Sequence, residues 1–330
     1  MIIPVFLPMQ GCSSSCVFCD QHAITATPAP SPIDVETLVK SRNPDGQPAQ
    51  LAFYGGSFTA LPRMRLKEYV DTARRLRSEG LITGFRCSTR PDAIHHEVLD
   101  ILQQGGCEAI ELGVQSTDIR VQQQSGRIPT DMDQLHRVVA ALHQRSWQSV
   151  IQLMPGLPGE DQASFLRTIT DTIALSPHGV RLYPTLVLRG TTLHTMYESG
   201  HYTPLDLEQA IQMCSRAVSR FRERGIHIVR MGLQDGDSLR ETIVAGPWHP
   251  AFGELVESRL CLQALLPYRE SAVALRAHPR LRSKIAGHKR QNLTALQWQA
   301  LPFEMDEQLG IKEVSLLLDS GQWISLPLNW

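Results

Sequence analysis

The chain has almost no net charge, no long apolar run, no cysteine framework and no repeat. Its 32 Lys and Arg stand against 33 Asp and Glu, a formal charge of −1, so no global field draws it to nucleic acid or to a membrane. No hydrophobic stretch approaches the roughly 20 residues of a bilayer span, and no membrane partner is expected. The opening Ile2-Ile3-Pro4-Val5-Phe6-Leu7-Pro8 is apolar but short. It lacks a basic lead and a small-residue cleavage site, and reads as a first strand rather than a signal peptide. The seven cysteines are odd in number, and Cys87, Cys107, Cys214 and Cys261 are scattered. That pattern excludes a secreted disulfide scaffold and fits a reducing cytoplasm. Those four read as small buried hydrophobes. No segment repeats at a period of about 20 to 50 residues.

What is present is a regular alternation. The 330 residues, 42% of them hydrophobic, suffice for one large α/β barrel and a small extra domain. Strand-like runs fall at Ile2–Leu7, Leu51–Tyr54, Gly84–Ser88, Ala109–Val114, Val150–Met154 and Val180–Leu186. Helical patterns fall between them, at Met64–Glu79 ending on Gly80, Asp131–Arg145, Asp161–Ala174 and Leu207–Arg224 ending on Gly225. Thr25–Asp45 reads as loop around one short helix, Val35–Lys40. The expected fold is α/β: a partial (β/α)6 TIM-type barrel over residues 1–235, then a small α+β C-terminal domain over 236–330. That second part should hold a helix at Leu255–Leu265 and a hairpin around Ser320-Gly321. Parallel barrels place their chemistry in the loops at the carboxyl ends of the strands.

The first such loop is Gly11-Cys12-Ser13-Ser14-Ser15-Cys16-Val17-Phe18-Cys19. Four protein ligands would close a metal site, whereas three thiolates hold three corners of a 4Fe–4S cube and leave one iron open. Two other readings stand beside this one: a zinc site completed by His22 or a distant residue, and buried thiols that meet no metal. The second loop carries Tyr54-Gly55-Gly56-Ser57-Phe58, where paired glycines permit close approach to the backbone. The third carries Cys87-Ser88-Thr89-Arg90-Pro91-Asp92, with Arg90 and Asp92 equally suited to a structural ion pair. The fourth strand ends in Glu111-Leu112-Gly113-Val114-Gln115-Ser116, followed by Ser125-Gly126-Arg127. Gln115 both donates and accepts, and Arg127 offers a fork for a carboxylate. The fifth ends in Gln152-Leu153-Met154-Pro155-Gly156-Leu157-Pro158-Gly159-Glu160.

The C-x3-C-x2-C spacing with its aromatic-Cys pair, Phe18-Cys19, resembles the radical S-adenosylmethionine (SAM) superfamily. The Gly-Gly-Ser-Phe, Arg-Pro-Asp and Gly-Val-Gln-Ser strings are most similar to its elongator-catalytic-subunit-like branch. The coproporphyrinogen-oxidase-like branch is more distant. The resemblance covers roughly residues 1–265 and implies an enzyme whose cofactors are a 4Fe–4S cluster and SAM. Cys12, Cys16 and Cys19 would then bind the cluster. The open iron would take the amino and carboxylate groups of SAM, and one electron would release a 5′-deoxyadenosyl radical. Phe18, Gly55, Gly56, Ser57, Ser88, Gln115, Arg127, Gln152 and Leu186 would surround SAM, with Gly55 and Gly56 at its amino group and Arg127 at its carboxylate. Relatives of the coproporphyrinogen type often carry Glu at the position of Ser88, and 330 residues read as too few to hold the elongator enzyme's acetyltransferase domain after the barrel. The implied partners are a one-electron donor of the flavodoxin or ferredoxin type and an unidentified substrate.

Two later stretches suggest further roles. Val244-Ala245-Gly246-Pro247-Trp248-His249-Pro250-Ala251-Phe252-Gly253-Glu254 reads either as a loop closing over a substrate or as a plug. In the first case His249 and Glu254 are acid–base candidates. Arg276–Arg290 is basic and makes tRNA or other RNA a minority expectation as partner, since a full Gly-x-x-Gly loop is absent. A solvated basic surface is the commoner explanation.

Overall fold

The computed structural model describes residues 1–12, 16–21, 28–42, 47–233 and 236–328. The alternative ligand His22 and the serines 13–15 lie outside the described residues.

The strands in chain order are β1 (Ile2–Phe6), β2 (Ala49–Tyr54), β3 (Ile82–Thr89), β4 (Cys107–Gln115), β5 (Gln148–Leu153), β6 (Gly179–Leu182), β7 (Val187–Leu188) and β8 (His227–Met231). All but β7 join one parallel sheet in the order β1-β2-β3-β4-β5-β6-β8, curled into a half-barrel. The α/β half-barrel is as expected, with β8 as a seventh strand beyond the six read from the sequence.

Side chains alternate across each strand. Ile3, Val5, Leu51, Phe53, Phe85, Ile110, Leu112, Ile151, Val180 and Leu182 belong to the main apolar core, packed with residues of the surrounding helices. Each such burial is worth about 1.5–3 kcal/mol. Phe53 and Phe58 stack at 4.4 Å, and Phe85 and Tyr69 pack edge-on to Phe53 at 5.7 and 5.6 Å. This ring cluster locks the helix Arg63–Ser78 to the sheet. That helix turns out through Gly80, whose φ of +73° suits glycine. The helices Met132–Gln144, Gln162–Ala174 and Leu207–Glu223 start on Asp131, Asp161 and Asp206, whose carboxylates accept from the third backbone N–H. These caps fix where each helix leaves the strand-end loops.

β7 leaves the sheet and pairs antiparallel with β9 (Ile243–Ala245). A second sheet follows, made of β10 (Ala272–Ala277), β11 (Phe303–Met305), β12 (Glu313–Leu318) and β13 (Trp323–Pro327), in the order β11-β10-β12-β13. The helix Phe252–Leu265 serves both cores. Phe252, Leu255 and Val256 belong to the barrel core, and Cys261 and Leu265 to that of the second sheet. The basic stretch does not form one continuous helix. Arg276 on β10 pairs with Glu304 at 2.6 Å and lies over Trp323, and Lys284 pairs with Glu257. Among the described residues, no helix is long and apolar enough to cross a membrane.

Candidate functional site

The cysteine loop leaves the carboxyl end of β1 and is held by backbone bonds to the loop after β2. Met9 N donates to Gly55 O at 2.9 Å, and Ser57 N donates to Gln10 O at 2.8 Å. A methyl group on Gly56 would stand 2.3 Å from Gln10 O and 2.7 Å from Leu7 O. One on Gly11, where φ is +72°, would stand 2.2 Å from Ser57 O. The close approach that the glycine pair permits is thus occupied, at Gly56, by the cysteine loop itself.

Each thiol has a polar neighbour. Cys12 Sγ lies 3.6 Å from Ser57 Oγ, Arg127 Nη1 donates to Cys16 Sγ at 3.5 Å, and Gln21 Nε2 donates to Cys19 Sγ at 3.6 Å. All three cysteines are half-buried and free of disulfides. Burial pushes the Cys19 thiol up to about 12; the neighbouring Cys16, Cys12 and Asp20 add to this, and the Gln21 bond opposes it. A thiol so placed ionises readily only when a cation offsets the charge. Burial works against the charge of Arg90, yet its pairing with Asp92, helped by the nearby Cys12 and Cys16, holds the guanidinium firmly protonated. That pairing is two-pronged, at 3.0 and 3.1 Å. Among the described residues no three His, Cys, Asp or Glu stand gathered as a finished metal cage. The chemistry of the donor set, three thiols on one loop beside two guanidiniums, still fits a thiolate-bound iron–sulfur cluster.

The loop after β4 is tied to the same place. Val17 N donates to Ser125 O at 3.1 Å, and Arg127 Nη2 donates to Gly113 O. Arg127 Nε is buried with no partner. Gln115 ends β4 with a φ of +69°, a rare conformation for a side chain with a Cβ. There it accepts from Gln152 Nε2 at 3.2 Å. Arg127 thus touches both Cys16 and Gly113 of β4, two residues before Gln115, which is itself bonded to Gln152. Ser88 is half-buried on the lumenal side of β3, level with Glu111.

Other predicted residues are more distributed. Phe18 packs with Val121, Met154, Leu157 and Leu193, in a cluster that takes in the edges of Cys16 and Cys19. Val244 and Ala245 of β9 join that cluster, so the β7–β9 ribbon lies on the cysteine side of the barrel. Leu186 packs with Leu188, Leu239 and Trp248. His249 accepts from Ala251 N at 3.1 Å, and its ring lies 5.8 Å from that of His288. Burial, then His288, pushes its pKa down. Glu254 is exposed on the first turn of the helix Phe252–Leu265.

One constellation escaped sequence reasoning. Glu111, 4% exposed, accepts from Arg86 Nη1 at 3.1 Å, Arg181 Nη2 at 3.0 Å and Tyr54 Oη at 2.9 Å. Arg181 also donates to Tyr183 Oη at 2.9 Å, and Arg86 to Gln50 Oε1 at 2.6 Å. Strands β2, β3, β4 and β6 thus share one polar lattice across the lumen. Its signal in the sequence was a charged residue set inside each of three otherwise largely apolar strands, Arg86, Glu111 and Arg181.

A family model described as the radical SAM superfamily matches residues 6–172, and one described as its C-terminal domain matches residues 177–261. The uncharacterized protein MJ0486 of Methanocaldococcus jannaschii is 27% identical over 263 residues, covering 75% of this chain and 79% of that one. The tRNA uridine(34) acetyltransferase of the same organism is 31% identical over 134 residues, covering 40% of this chain and 25% of that one. The solved structure of the archaeal Methanocaldococcus infernus Elp3 superposes with a TM-score of 0.61 at 20% identity, over 78% of this chain and 62% of that one. The chain thus spans a quarter of the acetyltransferase and under two thirds of that Elp3 chain. The cysteine loop, the strand-end motifs and the half-barrel agree with these matches, among which elongator-type proteins recur: the chain belongs to the radical SAM superfamily.

Proposed function

We propose that this protein is a radical SAM enzyme that abstracts hydrogen from an unreactive C–H bond of its substrate. The superfamily's cofactors are a 4Fe–4S cluster and SAM. Cys12, Cys16 and Cys19 hold the cluster by three thiolates. When bound, cluster and SAM together supply a carbon radical after one-electron reduction by a flavodoxin- or ferredoxin-type donor. The chain's own work is placement. Arg127 receives the SAM carboxylate, Gln115 and Gln152 give polar contacts beside it, and Gly55, Gly56, Ser57 and Ser88 line the same mouth. Phe18 and Leu186 supply apolar walls. Residues 236–330 act as an accessory domain, whose lead-in, with Trp248, His249 and Glu254, borders the substrate and limits water. Free thiols and an oxygen-sensitive cluster suit the cytoplasm.

The observation that carries this reading is Arg127: one guanidinium touches Cys16 Sγ and Gly113 O and keeps a buried Nε without a partner. Anaerobic reconstitution followed by reduction with SAM tests it. One 4Fe–4S cluster per chain and release of 5′-deoxyadenosine are expected, while stoichiometric zinc without iron would overturn it.

A second reading takes RNA as the substrate, favoured by the similarity to the tRNA uridine(34) acetyltransferase. Salt-dependent binding of unmodified tRNA separates it from a small-molecule enzyme.

A further inference from the structure

The lumen wall is richer in positive charge than its own pairing requires. Arg86, Arg181 and Arg230 project from β3, β6 and β8, against Glu111 and Glu108 of β4. Glu108 is bonded to Gln50 at the amino-terminal end of the barrel. Glu111 takes both Arg86 and Arg181, so one carboxylate serves two guanidiniums. Arg230 is the cross-strand neighbour of Arg181 in the β6–β8 pairing, and its charge acts on the Tyr183 phenol. Its Nε donates to Gly232 O at 3.2 Å. Among the described residues its two Nη groups have no partner and no carboxylate pairs with it. Arg181, Tyr183 and Arg230 are only half-buried, so the wall stays open to a ligand. β8 is the last strand of the sheet and β1, which carries the cysteine loop, is the first. Arg230 therefore stands on the edge strand opposite β1, near the carboxyl end of β8.

We infer that Arg230, backed by the Arg86–Glu111–Arg181 lattice and Tyr183, is an anchor for an oxyanion of the substrate, a carboxylate or a phosphate. Guanidinium Nη pairs match the geometry of both groups. Glu111 holds Arg181 upright and unavailable, so the incoming anion meets Arg230 and the Tyr183 hydroxyl. Anchored there, the substrate spans the lumen toward the cysteine side. The inference rests on the radical SAM reading for the identity of its ligand as substrate, but not for the site itself.

The test is calorimetric titration of the full-length, cluster-loaded protein with sodium phosphate and, separately, sodium acetate. Ionic strength is held constant with sodium chloride. One anion per chain should bind, and the tighter of the two names the class. Arg230→Gln should weaken binding about tenfold or more, the cost of a charge-assisted contact. Arg230→Lys should fall between, and Arg167→Gln, which removes an exposed charge on an outer helix, should match the parent. Phenylglyoxal labelling mapped on the unmutated chain gives a second readout, in which phosphate or acetate should protect Arg230. No binding above chloride, equal affinity in Arg230→Gln, or unprotected labelling of Arg230 would each overturn the inference. Anion binding needs no SAM cleavage. A protein that binds the anion yet never cleaves SAM overturns the proposed function alone, and the reverse outcome overturns the anchor alone.

Discussion

Arg127 ties the cysteine loop to β4, donating to Cys16 Sγ, 111 residues before it in the chain, and to Gly113 O near the end of that strand. Its remaining Nε is buried without an acceptor. A buried donor left unpaired costs about 1–3 kcal/mol, so the site is built to receive something. Arg127→Ala should weaken SAM binding by about 1.5–3 kcal/mol, the worth of a charge-assisted bond, as read by equilibrium dialysis. Arg127→Lys should recover only part, because an ammonium cannot fork. Unchanged affinity in the alanine variant would remove Arg127 from the SAM site.

Iron content should follow three cysteines and ignore the others. Cys12→Ala, Cys16→Ala and Cys19→Ala should each abolish cluster uptake after anaerobic reconstitution. Cys107→Ala and Cys214→Ala should retain it, since both thiols are buried in the apolar core. A Cys214 variant that loses iron would contradict the assignment.

Gly56→Ala should damage the cluster site without unfolding the barrel. Its new methyl would meet two backbone carbonyls of the cysteine loop, at 2.3 and 2.7 Å, and backbone cannot swing aside as a side chain can. The expected result is a lowered iron-to-protein ratio with an unchanged far-ultraviolet circular dichroism spectrum. Full iron retention would show that the loop yields freely.

Glu111→Gln should destabilise the fold strongly. It leaves Arg86 and Arg181 facing each other without their shared carboxylate. Breaking a buried pair costs about 3–5 kcal/mol, and the measurement is urea unfolding of the full chain. A loss under about 1 kcal/mol, within the range of an exposed ion pair, would mean that water already screens the lattice.

Glu160 should make stability fall with rising pH. Its carboxyl accepts from Gly156 N at 2.7 Å while Oε1 is buried without a partner. Burial, partly offset by the Gly156, Ser116 and Leu157 bonds, raises its pKa from 4.5 to about 8. The folded state therefore holds a proton that the unfolded state releases. Stability from this group is full below pH 4.5 and is lost as pH rises through about 8. Across that interval the loss is about 1.4 kcal/mol for each step of one in pH. Glu160→Gln should flatten the melting temperature between about pH 5 and pH 9, removing the slope that the parent shows. A parent with no such slope would place the carboxyl in contact with water.

The sequence made the barrel legible because its punctuation is strong. Asp131, Asp161 and Asp206 mark helix starts, Gly80 and Gly225 mark stops, and the apolar strands lie between them. The cysteine loop and the strand-end strings were legible for the same reason: each stands just after a strand. β8 was harder. It is five residues long, half-buried along most of its length, and carries His227 and Arg230 around a short apolar pair. The β7–β9 ribbon was invisible because its strands have two and three residues, and their pairing is a tertiary fact. The Glu111 lattice needed four strands in register before its charges could meet. Gln115's positive φ has no sequence signature, since glutamine is no turn former.

The half-barrel is not a ring. Among the described residues, β1 and β8 each have a strand neighbour on one side only. A closed barrel admits its guest through one end and sizes it by the bore. A crescent has a lateral slot as well, and through it a bulky molecule can present a single short segment while the rest stays in solvent. The cysteine loop follows one of these edge strands and Arg230 lies on the other, so the sulfur-bearing and the cationic strands are the two that leave a backbone edge unpaired by any described strand.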